Sequence, residues 1–310
     1  MDIRQIRAFL AIADTGTVTR AAELLHVVQP AVSRQIKLLE DEIAAPLFVR
    51  TRHGMQLTEA GQVLSERARR ALRELDMARM EIHPEAQTIA GVVQIGLLPS
   101  SCDLIADALV KNLQQNYPQV RVSISVGYTD HLLRWLENGE VDAALLYNPV
   151  PTPMLDIAPL VEETLSLTGP ASLKLDEAVP VPLSALGKRP LVLPSKPHGL
   201  RSLVEHACAV AGVEIAIAAE TNALSVQKQL VVSGYGLSVM PRIAVRDEIL
   251  RDQLSAAPID SPDFTRHIAL ATPASRRMSP ALRCATSALR ACMMKIVASG
   301  DWLGARWIPD

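Results

Sequence analysis

Between Thr58 and Pro84 runs one long segment in which Leu64, Ala68, Ala71, Leu75, Ala78 and Ile82 step by 4, 3, 4, 3 and 4. That spacing draws a single narrow apolar stripe along an α-helix. Thr58 supplies an N-cap, Glu59 an acidic first turn and Pro84 a stop. Glu66, Arg67, Arg69, Arg70, Arg73, Glu74 and Arg79 cover the other faces. A helix inside a globular core would need a wider apolar face, so the stripe reads as a seam between two copies of the chain. About 25 residues at 1.5 Å each span roughly 37 Å. At roughly 150 residues per domain, a chain of 310 residues suggests about two domains.

Beyond Gly91 the pattern changes to β-branched runs at Val92–Leu97, Val120–Val126 and Val141–Leu146, separated by helix-length segments at Asp103–Gln115 and His131–Asn138. This β-α-β-α-β order implies a parallel sheet with helices on its faces. A second set follows at Leu191–Leu193, Leu200–Ala211, Glu214–Ala219, Leu224–Val232 and Leu237–Met240. Two α/β modules in series suggest two lobes with a cleft between them. The chain is expected to cross near Ala158–Glu163 and Phe264–Ala269, with helix Pro280–Ala298 returning to the first lobe.

Ahead of the long helix the period is that of short helices. Val18, Ala21, Ala22 and Leu25 form one apolar face behind a Thr17 cap, and His26-Val27-Val28 makes a tight turn. From Gln29 to Ile43, Val32, Ile36, Leu39 and Ile43 fall on one arc, leaving Gln29, Pro30, Ser33, Arg34 and Lys37 on the opposite side. One helix face offering amide, hydroxyl and guanidinium groups is what reading base edges in the major groove requires. Phe48 to Leu57 then forms two short extended runs around Arg52-His53-Gly54, a β-wing with Arg50 and Arg52 near its tip. These cations can reach phosphates or the adjacent minor groove.

Bulk charge does not carry this argument. Lys plus Arg number 31 against 33 Asp plus Glu, a net charge of -2, which excludes a protein that coats nucleic acid by charge alone. Residues 1–58 hold seven basic against six acidic side chains, so placement decides. Aromatic residues at 3% argue against single-strand stacking platforms. Cys102, Cys208, Cys284 and Cys292 lie far apart, with neither zinc-ligand spacing nor a disulfide framework, which reads as cytoplasmic. No export segment and no apolar run long enough for a membrane span is visible.

The stretch AELLHVVQPAVSRQIKLLEDEIAAPLFVRTRHGMQLTEAGQ resembles the signature of the LysR-type transcriptional regulators. The likeness continues through the long helix into GVVQIGLLPS, LENGEVDAALLY and LVVSGYGLSVMP, and so covers essentially the whole chain. LPSKPHGLR and the tail to Asp310 resemble that family's nitrogen-assimilation-control branch. The resemblance implies an α+β multi-domain protein. A winged helix-turn-helix (1–58) leads into a linker helix and hinge (59–90), followed by a two-lobed effector domain like periplasmic binding proteins (91–310). Lobe I would take 91–161 and 267–300, and lobe II 162–266. It further implies a dimer, often paired into a tetramer, that binds interrupted inverted repeats in promoter DNA, with RNA polymerase as a further partner. A small molecule between the lobes would change DNA bending.

The expected DNA-contacting set is Thr17, Gln29, Pro30, Ser33, Arg34, Lys37, Arg50, Arg52 and His53. In an open α/β lobe, ligands sit beyond the carboxyl ends of strands, at helix N-termini. Strand Val92–Leu97 delivers Ser100 and Ser101 to such a place, where hydroxyls and backbone N–H groups suit an oxyanion such as a carboxylate. The same argument selects Thr129 and Asn148, with His198 and Asn222 from the second lobe. No cofactor, metal or enzymatic motif is expected: GxSxG, a P-loop, GxGxxG and HExxH are all missing. Two further readings stay open: a DNA-binding regulator with a vestigial cleft, and a two-lobed solute-binding protein, against which the N-terminal wing and linker count.

Overall fold

A computed structural model describes residues 1–52, 54–82, 89–275 and 278–309. The chain divides into one unit of Met1–Thr88 with Arg134–Val141 and a second of Ile89–Leu133 with Asp142–Asp310.

The first unit contains α1 (Ile3–Thr15), α2 (Val18–Leu24), α3 (Gln29–Ile43), the hairpin β1 (Phe48–Thr51) and β2 (Gly54–Leu57), and α4 (Glu59–Ile82). Asp2 starts α1 with a capping box shared with Gln5. Thr17 accepts the Arg20 N–H at 3.2 Å to start α2. Phe9, Ile12, Ala21, Val32, Leu39 and Leu47 close one core, in which the Phe9 and Phe48 ring centroids lie 5.2 Å apart. Glu40 ties the wing to α3 by accepting the Leu47 N–H at 2.7 Å.

Thr58 caps α4 by accepting the Gly61 N–H at 3.0 Å. The stripe along α4 does not behave as one seam. Leu64 packs against the first unit's core, and Ala68 is buried in it at 3% exposure, so Ala68 is not free for a partner chain. Ala71 and Leu75 are exposed. The change follows from length: the first turns of α4 lie over α1, and later turns outrun it. The side chains of Ala78 and Ile82 lie outside the described residues.

From Gly91 onward the chain forms β3 (Gly91–Leu97), α5 (Cys102–Asn116), β4 (Val120–Val126), α6 (Thr129–Glu137, whose residues from Arg134 are assigned to the first unit) and β5 (Ala143–Tyr147). Next come β6 (Leu155–Pro170), β7 (Val181–Pro182), β8 (Leu191–Leu193), α7 (Gly199–Val210), β9 (Ile217–Glu220), α8 (Leu224–Val232) and β10 (Ser238–Pro241). It ends with α9 (Arg246–Leu250), β11 (Leu254–Asp260), β12 (Thr265–Pro273), α10 (Pro280–Ala298) and β13 (Ala305–Trp307). The first lobe is built on the order β4-β3-β5-β12-β6, in which β3 pairs parallel with β4 and β5. Ile105, Leu109 and Leu113, one helical turn apart, bury the inner face of α5.

The lobes are joined by β6 itself. Its residues up to Thr164 pair with β12, and those from Leu165 pair with β10 and β11. Ala158–Glu163 is thus the middle of a 16-residue strand, where the sequence suggested a crossing segment. A second core of Leu165, Leu193, Val204, Val239 and Phe264 fills the second lobe. Among the described residues no helix is long and apolar enough to cross a membrane.

Candidate functional site

Two regions carry chemistry, one in each unit. On α3, Val32, Ile36 and Leu39 are buried, while Gln29, Pro30, Ser33, Arg34 and Lys37 are exposed. Helical periodicity alone enforces this split, because the apolar arc is held by the core. No side chain caps the start of α3, and Val28 just before it is 70% exposed. Pro30 has no N–H and Ala31 donates its own to Val28 O at 2.9 Å, so this end of the helix offers an apolar contact and a polar side-chain face.

The wing is anchored beside it. Met55 donates its N–H to Gly16 O at 2.8 Å, fastening the hairpin to the α1–α2 turn. Gly54 sits at φ 122°, and a Cβ there would meet Gly16 O at 2.5 Å, so the anchor requires glycine. Arg50 and Arg52 are exposed on this hairpin, Thr17 is half-buried, and His53 lies outside the described residues. Exposed cations on a fixed wing are placed to meet phosphates or the adjacent minor groove, and the phosphate reading has a direct test. Arg52→Ala is expected to weaken specific and non-specific duplex binding by the same factor. It should also reduce the slope of log affinity against log salt by about 1, read from anisotropy titrations across salt.

In the second unit a cavity of about 30 Å³ lies between the lobes. Pro99, Ser100, Tyr128 and Tyr147 line it from the first lobe, His198, Leu200, Gln227 and Met240 from the second, and Arg266 from the crossing into β12. Ser100 Oγ and the Tyr147 hydroxyl are hydrogen-bonded. The Arg266 guanidinium lies over the Tyr147 ring at 3.5 Å from its centroid, a cation–π contact. Arg266 is buried, and its Nε donates to Glu163 Oε1 at 2.6 Å. The other Glu163 oxygen accepts from Trp302 Nε1 at 3.0 Å.

In the cavity lining His198 Nε2 has no hydrogen-bond partner among the described residues, and neither has Ser101 Oγ, on a residue 2% exposed that follows Ser100 but does not itself line the cavity. Ser101 stands at the N-cap of α5 without making a capping bond. His198 caps α7, its Nδ1 accepting the Leu200 N–H at 3.1 Å, so its proton sits on Nε2. Burial, helped by Arg266, lowers His198 to about 4, and the ring is a neutral donor at neutral pH. It also meets Tyr128 edge-on across the cleft at 4.6 Å. Burial pushes the Tyr147 phenol up, so it too keeps its proton. His198 Nε2–H and the Arg266 guanidinium put a donor and a cation in the cavity lining, a combination that suits an anion.

Residues 3–62 match the bacterial regulatory helix-turn-helix protein, lysR family, and residues 86–293 match the LysR substrate binding domain. The chain belongs to the LysR family. It is a LysR-type DNA-binding transcription regulator with an effector-binding domain, and its relatives are regulators rather than enzymes. It is 31% identical to the nitrogen assimilation regulatory protein nac of Klebsiella aerogenes over 281 residues, 90% of this chain and 91% of that one. A full-length OxyR variant from Pseudomonas aeruginosa superposes with a TM-score of 0.73 at 25% identity, covering 94% of both chains. The fold of CbnR complexed with its target DNA is also similar, with a TM-score of 0.68 at 22% identity over 94% of this chain and 100% of that one.

Within this LysR-type frame, the structure sorts the residues expected in the cleft. Ser100 and His198 line the cavity together, while Ser101, buried at the start of α5, does not line it. Thr129 instead accepts the Tyr147 N–H at 3.0 Å, holding the end of β5. Asn148 is exposed and trades hydrogen bonds with the His267 backbone, extending the ladder between β5 and β12. Asn222 is exposed and does not line the cavity. Both asparagines stand at strand ends, but the sheet and the surface take them. Sequence reasoning missed Arg266, Glu163 and Gln227. For Arg266 and Glu163 the available signal was a charged residue at the inward phase of a strand, a phase fixed only once the register is known, while Gln227 lies on α8.

Proposed function

We propose that the protein acts in the cytoplasm as a dimer or tetramer on promoter DNA, and that a small oxyanion bound between the lobes alters its geometry there. The observation that carries this is His198 Nε2, an unpartnered donor in the cavity lining with the buried Arg266, while the unpartnered Ser101 Oγ lies next in sequence to the lining Ser100. Unmet buried donors cost stability unless a ligand uses them. A ligand touching both lobes has different contacts in open and closed forms, which is the condition for shifting between them. Thiol chemistry is a poor alternative, because burial raises Cys102 to about 11 and pushes Cys208 and Cys292 up as well.

Ser101→Ala separates binding from folding by sign. Removing an unpaired buried hydroxyl is expected to raise the stability of the unliganded protein by about 1 kcal/mol. The same change should weaken any carboxylate that stabilises the parent in a thermal-shift panel of carboxylates and inorganic oxyanions. A ligand held equally by both proteins would remove Ser101 from the site. A second reading, an effector-independent regulator, is favoured by the cavity's volume of about 30 Å³, room for about one water. No stabilisation by any panel member would favour it.

Dimer formation is read from the exposed half of the α4 stripe. Leu75 is 46% exposed in the single chain, beside exposed Ala71, a placement that suits a partner helix. Leu75→Lys would bury an unpaired ammonium at that seam. Sedimentation velocity is expected to show dissociation with the far-ultraviolet spectrum unchanged, and an intact oligomer would contradict the assignment.

A further inference from the structure

The last residues of the chain are tied to the point where β6 leaves one lobe for the other. The family match ends at residue 293, yet the following segment is built into the fold. The strand β13 pairs antiparallel with Val161–Glu163, the final first-lobe stretch of β6. Thr164, the last β6 residue paired with β12, donates its N–H to Gly304 O at 2.9 Å. Ile308 donates to Leu160 O at 2.9 Å. On the other side of the hinge, Asp301 lies 3.4 Å from Arg246 of α9, which follows the second-lobe strand β10. The segment thus pairs with β6 just before it changes partners and, through one exposed ion pair, touches α9 beyond that point.

Its one fully buried large side chain reaches the carboxylate that holds the cleft's cation. Trp302 is 1% exposed, and its Nε1–H donates to Glu163 Oε2 at 3.0 Å. The same carboxylate takes Arg266 Nε through its other oxygen at 2.6 Å. With both oxygens engaged the carboxylate plane is fixed, and so is the guanidinium it holds over Tyr147.

We propose that Asp301–Ile308 straps the hinge between the lobes, and that Trp302 is a positioning residue of the cleft, orienting Arg266 through Glu163. Arg266 is the side chain that meets the anion, and Trp302 acts only at one remove. The proposal rests on the reading of this cleft as the ligand site. Its test uses the unliganded protein, so failure of the strap and failure of that reading are separate results.

Trp302→Phe keeps a ring in the buried space and removes only the indole N–H. In the full chain, the Arg266 Nε–H resonance and backbone hydrogen exchange are compared with the parent. A filler role for the ring leaves that resonance unmoved. The proposal expects the Arg266 Nε–H to exchange about tenfold faster. Cleft-lining amides at Tyr128 and Leu200 should also exchange faster, while residues 1–52 are unchanged. A chain ending at Gly300 should show a larger effect of the same kind. If Trp302→Phe leaves Arg266 Nε–H and the cleft amides as in the parent, with changes confined to Leu160–Thr164, the segment is an edge strand only and the proposal is overturned.

Discussion

Replacing Glu163 with alanine is expected to lower the stability of the effector-binding domain by about 3–5 kcal/mol. The carboxylate is 1% exposed and serves two donors at once, Arg266 Nε at 2.6 Å and Trp302 Nε1 at 3.0 Å. Its loss strands a guanidinium that is itself buried, and an uncompensated buried charge costs far more than the pair contributes when intact. Glu163→Gln, which keeps an acceptor oxygen, should lose less. Glu163→Leu combined with Arg266→Met should recover much of the loss, because no charge is left behind. Urea unfolding followed by tryptophan fluorescence reads all three variants, with the DNA-binding unit tracked separately since two units need not unfold together. A loss below about 1 kcal/mol for Glu163→Ala would mean that Arg266 has another anchor.

Arg34→Ala is expected to leave fold and oligomer intact and to weaken binding to the specific site by about 1–3 kcal/mol, roughly 5- to 150-fold. Arg34 is exposed on α3, opposite the buried Val32, Ile36 and Leu39, so no packing is lost with it. Binding to a shuffled duplex should change little. The contrast with Arg52→Ala is the informative part, since a wing cation gives equal loss on both duplexes. Equal loss for Arg34→Ala would assign that side chain to phosphate.

The two faces of α3 were legible because a helix sorts its faces by sequence spacing alone. Val32, Ile36 and Leu39 settle where Gln29, Ser33 and Arg34 must point without any knowledge of what packs against them. The two α/β lobes were legible for a similar reason, through β-branched runs alternating with helical periods. The cleft was not, since a strand end faces a ligand only if sheet order and register leave it open. Asn148 shows this: it follows β5 as the argument asked, and β12 then claims both its backbone and its amide. The α4 stripe shows a second limit. One apolar stripe can serve two partners in turn, and nothing in the 4-3 spacing says that Ala68 belongs to its own domain while Leu75 stands exposed. The Trp302–Glu163–Arg266 cluster joins residues more than 100 positions apart, with no local pattern to announce it.

The central claim is that this chain reads a DNA sequence through α3. The direct measurement is selection of genomic fragments by the full-length protein, followed by affinity titration of an enriched fragment and a shuffled duplex of equal length at physiological salt. The account predicts enrichment of an interrupted inverted repeat bound at least about a thousandfold more tightly than the shuffled sequence. Equal affinity for the two duplexes, with no enriched sequence, would contradict it.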